Sequence, residues 1–183
     1  SPSTLHLIFP EIYLEEENME DRIRNINRTM RLYLEKNYLR PMKPGFVFVD
    51  RKTTHASSRK GLVLSLDLER YDFSRGSRSL IRATEGTITD RLPPRVKIRK
   101  DALLELPHIM VLIDDEEETV IEPLSDKTSA WEKLYDFELM MDGGHIKGYK
   151  IDDTETILGI ARALGKLCEP ENFKRKYGVC DDD

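Results

Sequence analysis

The sequence is poor in cysteine: Cys168 and Cys180 are its only two, and their spacing fits neither a zinc hairpin nor a thioredoxin-type pair. An idle or buried thiol in a reducing cytoplasm is therefore the expectation, ahead of a disulfide or redox role. Long apolar runs are missing as well. No stretch approaches the roughly 18 residues of a membrane span, and no charged-then-apolar leader opens the chain. Net positive charge is absent, since 29 Lys and Arg stand against 34 Asp and Glu for a formal charge of -5. That argues against a generally basic nucleic-acid or membrane-surface binder and leaves a local basic face open. A glycine-rich phosphate loop ending in Lys-Ser/Thr, a dinucleotide fingerprint and an exposed-serine elbow are not found, nor are repeats or low-complexity tracts.

What is present is 183 residues, 39% apolar, enough to fold as one domain with a sizeable core. Met19, Ile23, Ile26, Met30, Tyr33 and Leu34 form one helical stripe, with Asn18 placed to cap it and Pro41 beyond its end. Its arginine-bearing face, with Arg22, Arg24, Arg28 and Arg31, is expected to be solvated. Ile157, Ile160, Ala161, Leu164 and Leu167 mark a second helix, opened by a capping box of Asp152 and Glu155 and broken at Pro170, with another turn from Phe173 to Tyr177. A short helix capped by Ser125 or Asp126 should run through Trp131 and Leu134.

Strand patterns occupy Leu5 to Phe9, Phe46 to Val49, Leu62 to Leu66, Ile109 to Ile113, Thr119 to Ile121, Phe137 to Met141, and Tyr149 to Ile151. The polar stretch from Asp50 to Gly61 is a loop that could wrap an anion, although any exposed loop uses such residues. Three acids at Glu116 to Glu118 keep a turn soluble, and no separate set of spaced ligands points to a metal. A single α+β domain over residues 1–183 follows, with a mixed, mostly antiparallel sheet packed by helices. A strand opening at Ser1 and the tail Asp181-Asp182-Asp183 both suggest a piece of a longer chain.

Charge is segregated along the sequence. Between Arg75 and Lys100 eight basic residues face two acids, an excess of six, so the remainder carries -11. Within this window Arg82, Glu85, Gly86, Thr87, Asp90 and Arg91 mix guanidinium forks, a hydroxyl, carboxylates and a permissive glycine, which suits phosphate. Pro93-Pro94 should then set Arg95, Lys97 and Arg99 as alternate residues on one face of an extended stretch. Three cations on one face favour a bound anion, or internal pairing with carboxylates such as Glu117, Glu118 or Asp114-Asp115. His108 suits a strand end. His145, after Asp142-Gly143-Gly144, is the more exposed imidazole, although a glycine-rich turn explains it equally.

The run Ser79-Leu80-Ile81-Arg82-Ala83-Thr84-Glu85-Gly86-Thr87, with Asp90-Arg91-Leu92-Pro93-Pro94-Arg95 and Leu106-Pro107-His108-Ile109-Met110-Val111-Leu112-Ile113-Asp114-Asp115, resembles the bacterial family catalogued as domain of unknown function 1015. The likeness extends to Pro2 through Pro10 and Gly143 through Tyr149. Many members have a histidine where Thr84 stands here; Glu85, Thr87, Asp90 and Arg91 keep the pattern. Members carry an Asp-Gly-His-His or Asp-Gly-Asn-His motif beyond the last residue of this chain, of which Asp142-Gly143-Gly144-His145 is only a lookalike. That motif is similar to one in the ParB and sulfiredoxin superfamily, whose relatives include kinases of free serine. The resemblance thus implies nucleotide-dependent phosphoryl transfer to a small hydroxyl compound, in which ATP or ADP with Mg²⁺ would serve. Glu85 would orient or deprotonate the hydroxyl, while Arg82, Thr87, Asp90, Arg91, Arg95 and Arg99 would hold substrate or phosphate. The competing expectation is a non-catalytic module whose basic segment binds a nucleotide, phosphorylated metabolite or acidic partner. Nucleic acid ranks third, because aromatics are not interleaved with the basic run.

Overall fold

The computed structural model of the protein describes residues 2–177 except 15, 68, 70, 73, 75–80, 82–85, 87 and 107. The α+β class expected from the sequence holds, and two compact units are distinguished within it, one of Ser1–Pro41 with Thr84–Leu112 and the other of Met42–Ala83 with Ile113–Asp183. Among the described residues no helix is long and apolar enough to cross a membrane.

The first unit is organised by helix α1, Met19–Glu35. Its stripe is the expected one: Ile23, Met30 and Tyr33 are buried, and Met30 and Tyr33 close on Leu7 with Ile26, Leu39, Ala102, Leu104 and Leu106 around them. Asn18 sits at the N-cap position but makes no capping bond there. Its Oδ1 instead accepts from Arg22 Nε at 3.1 Å, and Arg22 also pairs with Glu16 at 3.0 Å and lies over the Tyr13 ring. The other arginines of that face are engaged locally or exposed, which matches a solvated face.

Leu5 to Phe9 is not a strand. Thr4–Leu7 winds as a 3-10 turn because Ser3 accepts from the Leu5 amide, while the Ser3 amide and the His6 ring both engage the buried Tyr33 hydroxyl at 2.9 Å. Leu7 alone of the alternating set is buried, so the alternation does not describe two sheet faces.

Helix α2, Leu92–Arg99, overturns a second expectation. Pro93 and Pro94 stand in its first turn, where missing amide hydrogens cost nothing because those donors have no intrahelical acceptor. They start a helix instead of fixing an extended stretch. Arg95 and Arg99 therefore share one side, and Lys97 points away from both.

The second unit is a four-stranded sheet of β1 (Phe46–Lys52), β2 (Arg59–Val63), β3 (Lys133–Leu139) and β4 (Gly144–Ile151), in the order β2-β1-β4-β3. Every described pairing is antiparallel, so the mixed component expected is not found among these strands. Phe48 pairs with Leu62 on one side and Tyr149 on the other. Phe48 and Ile151 are fully buried against Ile160 of helix α3, Thr154–Leu167, and against Val120 and Leu124. Each such side chain contributes about 1.5–3 kcal/mol when withdrawn from water.

α3 follows its expected stripe except at Ala161, which is exposed while Ala163 packs inward: Ile160 is buried and Ile157, Leu164 and Leu167 pack on the core. Its cap is shifted by one residue: the Asp153 carboxylate, not that of Asp152, accepts from the Thr156 amide at 2.8 Å, and Asp152 pairs with Lys150. Helix α4, Pro170–Tyr177, starts at the proline. Cys168, next to the end of α3, is a free and exposed thiol, not a buried one.

The segment expected as a short helix through Leu134 is a 3-10 helix, Glu122–Ala130, that stops before Trp131. No strand forms over Ile109 to Ile113, where Ile109 is 88% exposed, because an extended run needs a neighbour to bond to and none of the described strands pairs with it. The acidic connection after it is held by Asp115, which accepts from Thr119 at 2.9 Å and from the amide of buried Val120 at 2.8 Å.

Candidate functional site

Along β1 the residues Phe46, Phe48, Asp50 and Lys52 alternate onto one sheet face, so a single face changes from core to charge. Pairing extends that charged end across the sheet: Asp50 stands opposite Lys60 and Lys147, and Lys52 opposite His145. On β3, Asp136 pairs with Lys147 and Glu138 with His145. Each of these three strands thus carries a polar pair two residues apart.

Two local features produce this alignment. The register of β3 shifts between Lys133 and Tyr135, and that bulge reverses the parity of the rest of the strand, placing Asp136 on the same face as Lys133 and His145. The β3–β4 turn holds Met141 and Asp142 at φ 55° and 54°, and Gly144 at φ 85°. The Arg51 guanidinium donates twice to the Gly143 carbonyl, at 3.0 and 2.6 Å, which fixes the turn against β1.

His145 lies between two carboxylates, with Nδ1 2.6 Å from Glu138 and Nε2 2.5 Å from Asp136. Both ring nitrogens donate only in the imidazolium form, so the clamp favours the charged ring. The hydrogen bond with Glu138, followed by that with Asp136, raises the His145 pKa above its ordinary 6.5. Asp136 is held down to about 2, first by its hydrogen bond from Lys133 at 2.8 Å and then by the one from His145.

These groups line a shallow hollow of about 300 Å³ formed by Asp50, Lys52, Ser57, Glu138, His145 and Lys147. Ser58 of the β1–β2 loop donates to Asp50 at 2.7 Å, and Thr53 Oγ1 turns the loop by accepting from the His55 and Ala56 amides. Among the described residues neither Lys52 nor Lys147 has a carboxylate within ion-pair distance. Lys52, Lys147 and the held imidazolium thus stand among the carboxylates of Asp50, Asp136 and Glu138.

A titration follows from this geometry. In an NMR experiment the His145 ring should titrate with a midpoint above 6.5, and Glu138→Gln should lower that midpoint. Because the folded value is raised, the clamp's contribution to stability is complete below pH 6.5 and fades as pH rises through the raised value. Asp136 works at the other limit, its contribution being lost as pH falls from 3.8 toward about 2. A His145 midpoint at or below 6.5 would contradict the clamp.

The candidate residues expected from the sequence are described only in part. Arg82, Glu85 and Thr87 lie outside the described residues, and of Arg91 only the backbone is described. Asp90 is exposed in the turn ahead of α2. Arg95 pairs with Glu11 at 3.4 Å, Lys97 with Glu20 at 2.6 Å, and Arg99 with Glu105. The hydrogen bond from Lys97 in turn lowers the Glu20 pKa. Internal pairing thus engages all three of these cations, with partners other than the acids near residue 115. His145 is visible in the sequence through its glycines, Lys147 lies in the same family-like run and Lys52 in the polar stretch from Asp50 to Gly61, whereas Asp136 and Glu138 belong to no motif that marks them. The signal that could have found them is the repeated charged i, i+2 pair at the ends of three strand patterns.

A second hollow, of about 470 Å³, lies by Trp131 and the start of α3; Lys150 there pairs with Asp152 and Glu132 and Asp153 caps the helix, while Asp126 and Lys127 also line it. The carboxylates of the His145 hollow suit a metal poorly, since Asp136 is engaged by both Lys133 and His145. Among the described residues no group of three or more His, Cys, Asp or Glu is arranged to hold a metal ion.

No curated protein and no solved structure matches the chain. A family model does match, over residues 1–171, and it covers β1 to β4 together with every residue of the His145 clamp. The chain therefore belongs to the DUF1015 family, described as proteins of unknown function.

Proposed function

We propose that this protein holds a phosphate-bearing small molecule at the charged end of its sheet and transfers a phosphoryl group from a nucleotide to a small hydroxyl compound such as free serine. The observation that supports the reading is the pair Lys52 and Lys147, without ion-pair partners among the described residues, beside an imidazolium fixed by two carboxylates. Phosphoryl transfer is largely a matter of positioning and of neutralising phosphate oxygens, which fixed cations accomplish. The family resemblance separately assigns Glu85 to the acceptor hydroxyl and Arg82 and Arg91 to phosphate oxygens, and the transfer part of the proposal carries those roles with it. A cytoplasmic setting, where nucleotides are abundant and thiols stay reduced, goes with it.

A second reading, a binding module without catalysis, is favoured by one observation: both nitrogens of His145 face carboxylates, so the ring is no free base. Titration calorimetry with inorganic phosphate and with ATP tests the shared part. Lys52→Met and Lys147→Met should each weaken phosphate binding about tenfold, as expected for a charged hydrogen bond. Undiminished binding in both variants would refute the site. ATP consumption that depends on an added hydroxyl compound, and that Glu85→Gln slows while leaving phosphate affinity intact, supports transfer. Binding without consumption leaves the module.

A further inference from the structure

The two carboxylates on His145 are not equivalent. Asp136 has a side chain 29% exposed and is tied to Lys133 as well as to the ring. Glu138 is 73% exposed, stands on β3 at the sheet edge, and has the His145 ring as its one ion-pair partner among the described residues. The charged groups facing this point are Asp50 and Lys52 from β1, Lys147 from β4 and Asp136 from β3.

Resting on the phosphate-site reading above, we propose that Glu138 is a displaceable gate: the ligand is a phosphate monoester or free phosphate whose terminal oxygens replace Glu138 on His145 Nδ1 while Asp136 keeps Nε2. A longer, more exposed side chain with one attachment leaves at less cost than a shorter one held twice. Once Glu138 swings away, the hollow presents Lys52, Lys147 and the imidazolium against Asp50 and the Asp136 that still holds Nε2. A monoester brings three unesterified oxygens, one for each of those cations, whereas a diester brings two and cannot satisfy all three. Glu138 thus screens against weakly charged ligands by occupying the Nδ1 position until a dianion competes for it.

The test compares affinities for inorganic phosphate and for dimethyl phosphate in the wild-type chain, E138Q, E138D and K52M, with thermal unfolding to confirm folding. E138Q removes the competing charge and should bind inorganic phosphate about fivefold tighter. E138D keeps the charge but shortens the reach, and should also bind more tightly than wild type. Dimethyl phosphate should bind worse than inorganic phosphate throughout. ATP and glycerol 3-phosphate, run in parallel, distinguish a nucleotide source of the phosphate from a metabolite source. Equal or weaker phosphate binding by E138Q, with binding still lost in K52M, overturns the gate and leaves the lysine site standing. Failure of both wild type and E138Q to bind phosphate overturns gate and site together.

Discussion

Replacing Phe48 with alanine should cost about 3–5 kcal/mol of folding stability, the range for emptying an aromatic site in a packed core. The ring is 1% exposed and lies 6.1 Å from the Trp131 ring and 6.4 Å from the Tyr149 ring. Val120, Leu124, Ile151 and Ile160 complete the cluster, and they belong to an irregular segment, a 3-10 helix, a strand and a helix. A cavity there cannot collapse onto any single mobile neighbour. Urea denaturation measures the loss, and a change below about 1 kcal/mol would show that the pocket relaxes or that the residue is not central. Since Asp50 and Lys52 continue the same face of the same strand, the variant should also loosen the proposed anion binding without touching the anion.

Gly144→Ala is the other substitution with a large expected effect, about 3 kcal/mol or more. Two costs coincide at this residue. Its φ of 85° belongs to the left-handed region that side chains avoid, and a Cβ built there would lie 2.0 Å from the Lys52 carbonyl oxygen. That oxygen is backbone in a paired strand, so relief requires β1 and β4 to separate where Lys52 meets His145. Gly159→Ala is the matched control: its Cβ would meet nothing within 4 Å, and in α3 the change should stabilise by about 1 kcal/mol. Comparable stability of the two variants would show that the β3–β4 turn yields more easily than this geometry allows.

The parts of the fold legible from the residues are those whose pattern is long and self-sufficient. α1 and α3 each repeat their apolar stripe over several turns, and the apolar run of β1 is unbroken, whereas β2 shares only Leu62 and Val63 with the run expected from Leu62 to Leu66 and β4 begins at Gly144, ahead of the expected Tyr149. Short patterns are less legible, because tertiary partners decide them. Leu5 to Phe9 alternates like a strand until the Tyr33 hydroxyl supplies another use for Ser3 and His6. Pro93-Pro94 is compatible with an extended stretch or with the first turn of a helix, and local rules alone do not choose. The charge excess between Arg75 and Lys100 counts only the cations of one window. It does not see Glu11, Glu20 and Glu105, which fold back onto Arg95, Lys97 and Arg99. The His145 cluster is half legible for a related reason. The glycines before the histidine are adjacent in sequence, whereas its carboxylate partners reach it through a strand register that a one-residue bulge sets.

The division of the chain into interleaved units bears on synthesis. Residues 1–41 hold only part of the first unit and wait for residues 84–112, while the segment between them belongs to the second. As the chain emerges from a ribosome in N-to-C order, the first unit can close once residue 112 is out. The β1–β2 hairpin by then has only one of the two partners of β1, because β4 starts at Gly144. The far edge of β1, with Phe48 uncovered, thus stays open through the translation of more than thirty residues, at roughly 5–20 residues per second a delay of several seconds. Arg51, Lys52 and the neighbouring Arg59 and Lys60 place positive charge at the end of that open hairpin. Like charges on two nascent hairpins repel edge-to-edge pairing during the interval, so the cations that later sit at the charged end of the sheet act earlier as guards against association between unfinished chains.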